Sequence, residues 1–421
     1  MAERSFFFAT SLRWAVSSKR FSEGPAMTRR IVLICSALTF STLACGQLEA
    51  TEMTDELTLV APDSMPDDSF MASLSSELNS DPTGDCVNGR SPVPATCFSW
   101  HGQVPINTAL AQHPCVGVEA GTYTITKAIV VPAGKTLRGA SINRAAARFV
   151  AGPGFASTQM VTDDLSEGAV ATVSSLTFDA ANRTNGVGTR HMCATNLEIK
   201  NGRCWGVAIV GTRFTLARSD VHHNGAAPTC PSAPGGGIYT THTNVGPAIN
   251  APVILKNSVH HNVGPGLDVG GSWGGKLYGN AIYANSYWAA VSIFGSNWDI
   301  HDNQIFHPVR NTPGIPDGNK YFAECRGGPN GSHTSAIFVC QRNDVNNYVS
   351  TDNKIYNNKL ASWYGVLLIG NDEAKPYYAP RGNSVWGNSF TGSMHACADD
   401  FRPGQWFGDR NTWSGCTPTY F

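Results

Sequence analysis

The chain has little charge. Asp, Glu, Lys and Arg make up 14% of its 421 residues, against about 25% in an average soluble protein. With 30 basic and 31 acidic residues the formal net charge is −1, a balance that draws in neither nucleic acid nor an anionic membrane surface. None of the 12 cysteines stands in a Cys-x-x-Cys pair, which argues against a structural zinc site. The apolar stretch Ile31 to Ala44 is too short to span a bilayer. Between Gly46 and Gly89 there is no Lys or Arg at all.

Glycine and asparagine take the place of the missing charge. The 43 glycines, many asparagines and 42% hydrophobic content suit a turn-rich all-β protein with a large core. The N-terminal region is organised differently. Met27 opens a segment with a basic start (Arg29, Arg30) and an apolar body ending at Ala44, the pattern of a secretory signal. Residues 1–26 precede it and are set aside from fold reasoning, with Met27 an alternative start. Ser41-Thr42-Leu43-Ala44-Cys45-Gly46 resembles a bacterial lipobox, with Thr42 where Leu is usual. That resemblance implies lipidation at Cys45 and a place in the bacterial cell envelope, anchored to the outer membrane or, with ordinary cleavage nearby, secreted. Residues 46–89, acidic and rich in Ser, Thr and Pro, read as an extended disordered tether. Ten cysteines remain after Cys35 and Cys45, an even number that fits disulfides formed after export. Cys397 with Cys416 and Cys325 with Cys340 are the preferred local pairs.

A weak unit recurs in the second half: Asn, any residue, an apolar residue, two further residues, then Asn. It is seen at 196–201, 219–224, 257–262, 280–285, 353–358 and 383–388, with a partial copy from Asn303. Starts at 196 and 219, and at 257, 280 and 303, are 23 residues apart. A second apolar pattern, usually led by glycine, follows each unit, as in Gly237-Ile-Tyr-Thr240 and Gly266-Leu-Asp-Val269. A third precedes it, as in Val253-Ile-Leu255. Three short strands per repeat with no helical pattern indicate a solenoid coil. Strands stacked about 4.8 Å apart set equivalent turn residues above one another. An Asn amide, both donor and acceptor, then continues a ladder. Asn257, Asn280 and Asn303 are expected to form one ladder, and Asn262 and Asn285 another. The Asn residues are thus scaffold.

Cys115-Val-Gly-Val118 through Thr126, followed by Ile129 to Gly139, resembles the opening coils of the pectate-lyase-like superfamily. Together with the Asn repeats, the resemblance covers residues 113–395. It implies an all-β, right-handed single-stranded parallel β-helix, here assigned to residues 90–395, with residues 396–421 a disulfide-bound cap over the last coil. It leaves the reaction open, since the superfamily holds lyases, hydrolases, epimerases, esterases and adhesins. The Asn-Thr-Asp, Gly-His-Gly and Arg-Ile-Lys signatures of polygalacturonase-type hydrolases do not occur. The calcium and arginine signature of pectate lyases is not matched either.

Departures from the period place long insertions at 225–235, 242–250, 307–335, 341–351 and 370–381, all flanking the glycine-led strand. Loops on both borders of one sheet make a cleft along its face, suited to an extended sugar chain. If Leu267 and Val269 point inward, Asp268 points out, with Tyr239 and Thr241 one coil before and Ser292 and Phe294 one coil after. Asp268 is the expected general acid or base, supported by His242, Arg326 and Arg342. Tyr239, Phe294, Lys320, Glu324, His333, Asp344 and Asp372 are expected to touch substrate. A hydrolase would pair Asp268 with Glu324 or Asp344. A uronate lyase or epimerase would use a cation and a base, with Arg342, Arg326 and His242 in those roles.

The partner is therefore a polysaccharide, with no nucleic acid, membrane contact only through the lipid anchor, and a monomeric chain. No cofactor is read from the residues, and Ca2+ is the one a uronate would admit. The first reading is a lyase or epimerase on a uronic-acid-containing glycan. The alternatives are a hydrolase of the same fold and a non-catalytic glycan-binding β-helix. The pairs His222-His223 and His260-His261 read as stacked surface histidines away from the cleft. His260, Tyr283, Tyr356 and Trp386 are expected at equivalent outward positions.

Overall fold

The computed structural model describes residues 96–164, 169–211, 213–226, 235–241, 251–286, 289–307, 334–340, 350–369, 380–391, 395–399 and 411–419, with residues 86, 230 and 393 singly. All lie in the unit Val60–Phe421. The chain is a right-handed parallel β-helix with three sides. Side I holds the glycine-led strands, such as Trp205–Val210 and Gly236–Thr241. Side II holds strands such as Thr215–Ala217 and Val253–Leu255. Side III holds Asp220–His222, Ser258–His260 and Ala281–Tyr283. Every pairing is parallel and joins equivalent strands of adjacent coils. Sides I and II are joined by two long strands, Leu267–Tyr278 and Ala289–His301, which run through the corner with a register shift between Gly270 and Trp273.

A three-residue strand points one side chain inward and two outward. On side III the inward column is Ile199, Val221, Val259, Ile282 and Ile305. On side II it includes Leu216, Ile254, Leu277, Ile300 and Ile355. Side I adds Val207, Ile238, Leu267, Val291 and Ile337. All are essentially fully buried, and each aliphatic side chain so placed stabilises by about 1.5–3 kcal/mol. The N-terminal end of this core is closed by a short helix, Ile106–Gln112, whose Ile106, Ala109 and Leu110 are buried on it. Lys135 Nζ donates to the carbonyls of Leu110 and Ala111, at 2.6 and 2.7 Å, at the helix's negative end.

From Asn224 onward most corners follow one rule. A residue in the left-handed region is followed by a buried Asn, as in Lys256-Asn257, Gly279-Asn280 and Asp302-Asn303, with φ of 54°, 65° and 55° at the first position. The Asn257 amide donates to Asn280 Oδ1 at 3.0 Å, and the Asn280 amide to Asn303 Oδ1 at 2.9 Å. At the next corner Asn224, Asn262 and Asn285 are joined in the same way, each at 2.9 Å. Both expected ladders are present.

Beyond Asn303 the sequence register needs correction. The first ladder continues through Asn358 and Asn388, while Asn353 and Asn383 begin a third ladder, ending at Asn411, at the corner between sides I and II. The unit 353–358 is therefore a side II strand, paired with Asp299–His301. In these later coils the side II strands Lys354–Tyr356 and Ser384–Trp386 have the same three-residue length and the same flanking Asn as the side III strands Ser258–His260 and Ala281–Tyr283, so the motif is identical for either side.

The glycines obey the second ladder. A Cβ on Gly206, Gly237 or Gly266 would meet the amide nitrogen of Asn224, Asn262 or Asn285 at 2.6, 3.0 and 2.8 Å. At Ala290, one coil beyond, the ladder has ended and a methyl is accommodated. The segment 396–421, expected as a cap over the last coil, adds further strands in parallel register, with Val366 opposite Cys397 and Cys397 opposite Pro418. The Cys397–Cys416 disulfide is present. So are Cys86–Cys193, Cys97–Cys115 and Cys204–Cys230. Cys340 is disulfide-bonded as well, and its expected partner Cys325 lies outside the described residues.

Asn280 donates to Asn303, to the Ile254 carbonyl and to the Tyr278 carbonyl, and accepts from the backbone and side-chain N–H of Asn257. Asn280→Ala leaves several of these groups buried and unpaired. The expected cost is about 3 kcal/mol or more, read from the shift of the urea unfolding transition.

Candidate functional site

The outer face of side I carries the expected column. Tyr239 is opposite Asp268, and Asp268 is opposite Ser292, with Leu267 and Val269 inward. Strand alternation alone predicted this. Gly270, two residues on, stands opposite Phe294. A Cβ on Gly270 would meet the Tyr239 hydroxyl at 2.7 Å, so the phenol of Tyr239 lies over this glycine, beside the Asp268 strand. Trp205 stacks on Tyr239 at 5.1 Å. The sequence reading missed Trp205, although its place just ahead of the Gly206 strand marks it.

The face divides at Asp268. Toward the N-terminus, Tyr239, Thr241, Asp268 and Gly270 are part-exposed and Val210 is exposed. Toward the C-terminus, Ser292, Phe294, Phe338 and Leu367 are 1%, 5%, 0% and 2% exposed. Phe294, expected to meet substrate, instead packs in an apolar cluster with Phe338, Tyr364 and Leu367. Asp268 thus stands at the border between an open and a covered stretch, and no other described residue of the opposed strands Gly236–Thr241, Leu267–Gly270 and Ala289–Phe294 is acidic. His242, Lys320, Glu324, Arg326, His333, Arg342, Asp344, Asp372 and the lipidation candidate Cys45 lie outside the described residues.

Ring stacks occupy the other two sides. Tyr278, His301, Tyr356 and Trp386 form a column on side II at 5.0, 4.9 and 4.4 Å. His222, His260 and Tyr283 form another on side III at 5.1 and 4.9 Å. His260 and Tyr283 are therefore not equivalent to Tyr356 and Trp386, a consequence of the register error at Asn353. Within each column the ring faces cover one another. A sugar needs an open face to stack on, so the inner rings of these columns act as scaffold.

Side III also carries ion pairs. Arg144 crosses coils to reach Asp220 at 3.3 Å, and Glu198 holds Lys200 at 2.6 Å. The hydrogen bond from His222 keeps the Glu198 carboxyl well below the usual carboxylate range, with Lys200 and Thr177 adding to it against burial. Burial pushes His223 and His261 below the usual imidazole range, and the neighbouring histidines add to this. Among the described residues, no three His, Cys, Asp or Glu groups converge to hold a metal ion, and no helix is long and apolar enough to cross a membrane.

No family model matches the sequence, and no curated protein matches it. Several solved structures are similar in fold. The A-module of a mannuronan C-5 epimerase from Azotobacter vinelandii is 12% identical with a TM-score of 0.40, over 76% of this chain and 96% of that one. A pectate lyase is 15% identical with a TM-score of 0.39, over 78% and 84%. An endo-xylogalacturonan hydrolase from Aspergillus tubingensis is 10% identical with a TM-score of 0.47, over 77% and 93%.

Asp179 offers a check on the side III electrostatics. Burial raises its carboxyl pKa, but hydrogen bonds from Asn201 and the Ala181 N–H, with Arg148 beside it, outweigh burial and hold it below the usual range. A depressed folded value contributes stability above the unfolded value of about 3.9, lost as pH falls through the folded one. The melting temperature is expected to fall in acid below about pH 4, and Asp179→Asn to be less stable at pH 7 with a shallower acid decline.

Proposed function

We propose that this chain is an exported polysaccharide-active enzyme that removes a proton from a uronic-acid unit, as a lyase or an epimerase, on side I at Asp268. The observation that carries this reading is the half-buried Asp268 carboxylate, placed where the open face meets the covered one, with the Tyr239 hydroxyl on the adjacent coil. A glycan lying along the open coils would be stopped there, with one residue of the chain beside two proton-carrying groups.

The chemistry asks for a base at the C–H next to the substrate carboxylate and positive charge near that carboxylate. Removing the proton leaves an electron pair on that carbon. In a lyase the pair forms a double bond to the neighbouring carbon as its glycosidic C–O bond breaks, and the leaving oxygen takes up a proton. In an epimerase a proton returns from the opposite face. Asp268 and Tyr239 are the acid and base candidates. Arg342, Arg326 and His242 are proposed to supply the positive charge, with Lys320, Glu324, His333, Asp344 and Asp372 along the insertions that border the face. Asp268 is the acidic residue among the described residues of the side I strands Gly236–Thr241, Leu267–Gly270 and Ala289–Phe294, and a single proton-carrying carboxyl beside the Tyr239 hydroxyl supports the proton-transfer reading. The disulfides fit folding in an oxidising compartment.

The test is incubation of the purified chain with neutral and uronic polysaccharides, following unsaturated products, new reducing ends and the ratio of uronate epimers. Unsaturated ends or changed epimer ratios are expected on a uronic substrate, and Asp268→Asn should lower the rate by about 10²–10⁴-fold. Full activity in that variant removes Asp268 from the mechanism. Glycan binding without any product makes the chain a binding module.

A further inference from the structure

Side III repeats a short sequence across two coils: Asp220-Val-His222-His223-Asn224 and Ser258-Val-His260-His261-Asn262. The register sets His222 opposite His260. These two rings stack at 5.1 Å with planes 3° apart, and His223 and His261 stack at 5.5 Å and 6°. Within each coil the two rings are nearly perpendicular, at 84° and 88°. That arrangement brings their Nδ1 atoms to 2.7 Å in both coils. His223 and His261 are exposed and hold left-handed φ values of 56° and 53°.

The outer nitrogens fix the inner ones. His260 Nε2 lies 2.9 Å from Asp220, and His222 Nε2 lies 3.3 Å from Glu198. A neutral imidazole donates the N–H that faces a carboxylate, which leaves its Nδ1 as a lone pair. The carboxylates are held in turn, Asp220 by Arg144 and Glu198 by Lys200 and Thr177. Each strand histidine therefore presents a lone pair to the Nδ1 of its exposed neighbour. A proton occupies the line between the two nitrogens, whereas a metal ion bound to both would sit to one side of that line, with each Nδ1 lone pair turned toward it. An ion requires the exposed ring only to shift its own proton from Nδ1 to Nε2, so each pair would bind it without releasing a proton.

We propose that these histidine pairs form a surface site for a divalent transition metal of tetragonal preference, Cu(II) or Ni(II), each pair supplying two adjacent nitrogen ligands. With metal–nitrogen bonds of about 2.0–2.1 Å, nitrogens 2.7 Å apart subtend roughly 80–85° at the ion. That is close to a square-planar angle, whereas tetrahedral Zn(II) would need a separation of about 3.3 Å. Two nitrogens per coil are the whole contribution of the described residues, and water completes the coordination. A second ion one coil away binds more weakly, because two dications about 5 Å apart repel.

The test is titration of the full chain with Cu(II), Ni(II) and Zn(II) by calorimetry, with electron paramagnetic resonance of the copper form. A tetragonal copper spectrum with nitrogen hyperfine structure is expected, with Ni(II) bound at least as tightly as Zn(II). His223→Asn/His261→Asn removes one ligand of each pair and keeps the corner, since Asn201 and Asn357 hold the same left-handed conformation. It should weaken copper binding by at least about tenfold and reduce the nitrogen hyperfine structure. Asp220→Asn, at the residue that positions His260, should weaken binding of the ion at the His260–His261 pair by roughly 10- to 100-fold and leave the ion at the His222–His223 pair in place. If the double variant lost its β-sheet circular dichroism, His261→Asn alone serves, with the loss of one of two ions expected. Unchanged copper affinity and spectrum in a folded variant overturns the proposal, as does tighter binding of Zn(II) than of Ni(II).

Discussion

A left-handed residue followed by a buried asparagine, bonded to the same asparagine one coil on, is the constraint on which the rest of the molecule depends. It turns the chain through a corner in two residues and satisfies the donors and acceptors that the turn would otherwise bury. Once Asn257, Asn280 and Asn303 stand in line, the side III strands that follow them are held at three residues and their inward side chains must stack. The second ladder of Asn224, Asn262 and Asn285 fills its corner so closely that the facing positions 206, 237 and 266 must be glycine. The glycine-led pattern is thus a consequence of the asparagine pattern.

The stacking that builds the core also dictates the surface. Equivalent outward residues come into register without any attraction of their own, so rings stack on rings and carboxylates meet bases on the next coil. On sides II and III this closes the ring faces against ligands but leaves the ring edges, and so the histidine nitrogens, outward. Side I differs because its borders carry the insertions. Its outward column changes from part-exposed Tyr239 and Asp268 to the covered Phe338 and Leu367 within a few coils.

Much of this was legible in the sequence, and the gaps have physical causes. The 23-residue spacing exposed the coil, and the period-2 alternation placed Asp268 between Tyr239 and Ser292. The register failed at Asn353 because a three-residue strand with Asn at each end looks the same on side II and side III. It failed after the longest insertion, where spacing could no longer arbitrate. The capping helix Ile106–Gln112 lies outside the repeat. Arg144 reaches Asp220 across coils, a contact that no local pattern encodes. The proposed partners of Asp268 sit on insertions, which have no period to read and lie outside the described residues.

Hydroxyl-radical footprinting with a uronic oligosaccharide tests most directly where a glycan lies. Tyr239 and Trp273 are part-exposed on the strands beside and through Asp268, and both are readily oxidised, whereas Trp386 and His261 report on sides II and III. Protection of Tyr239 and Trp273 with unchanged oxidation of Trp386 and His261 is the expected result. Protection confined to Trp386 or His261, with Tyr239 unchanged, would contradict a substrate face on side I.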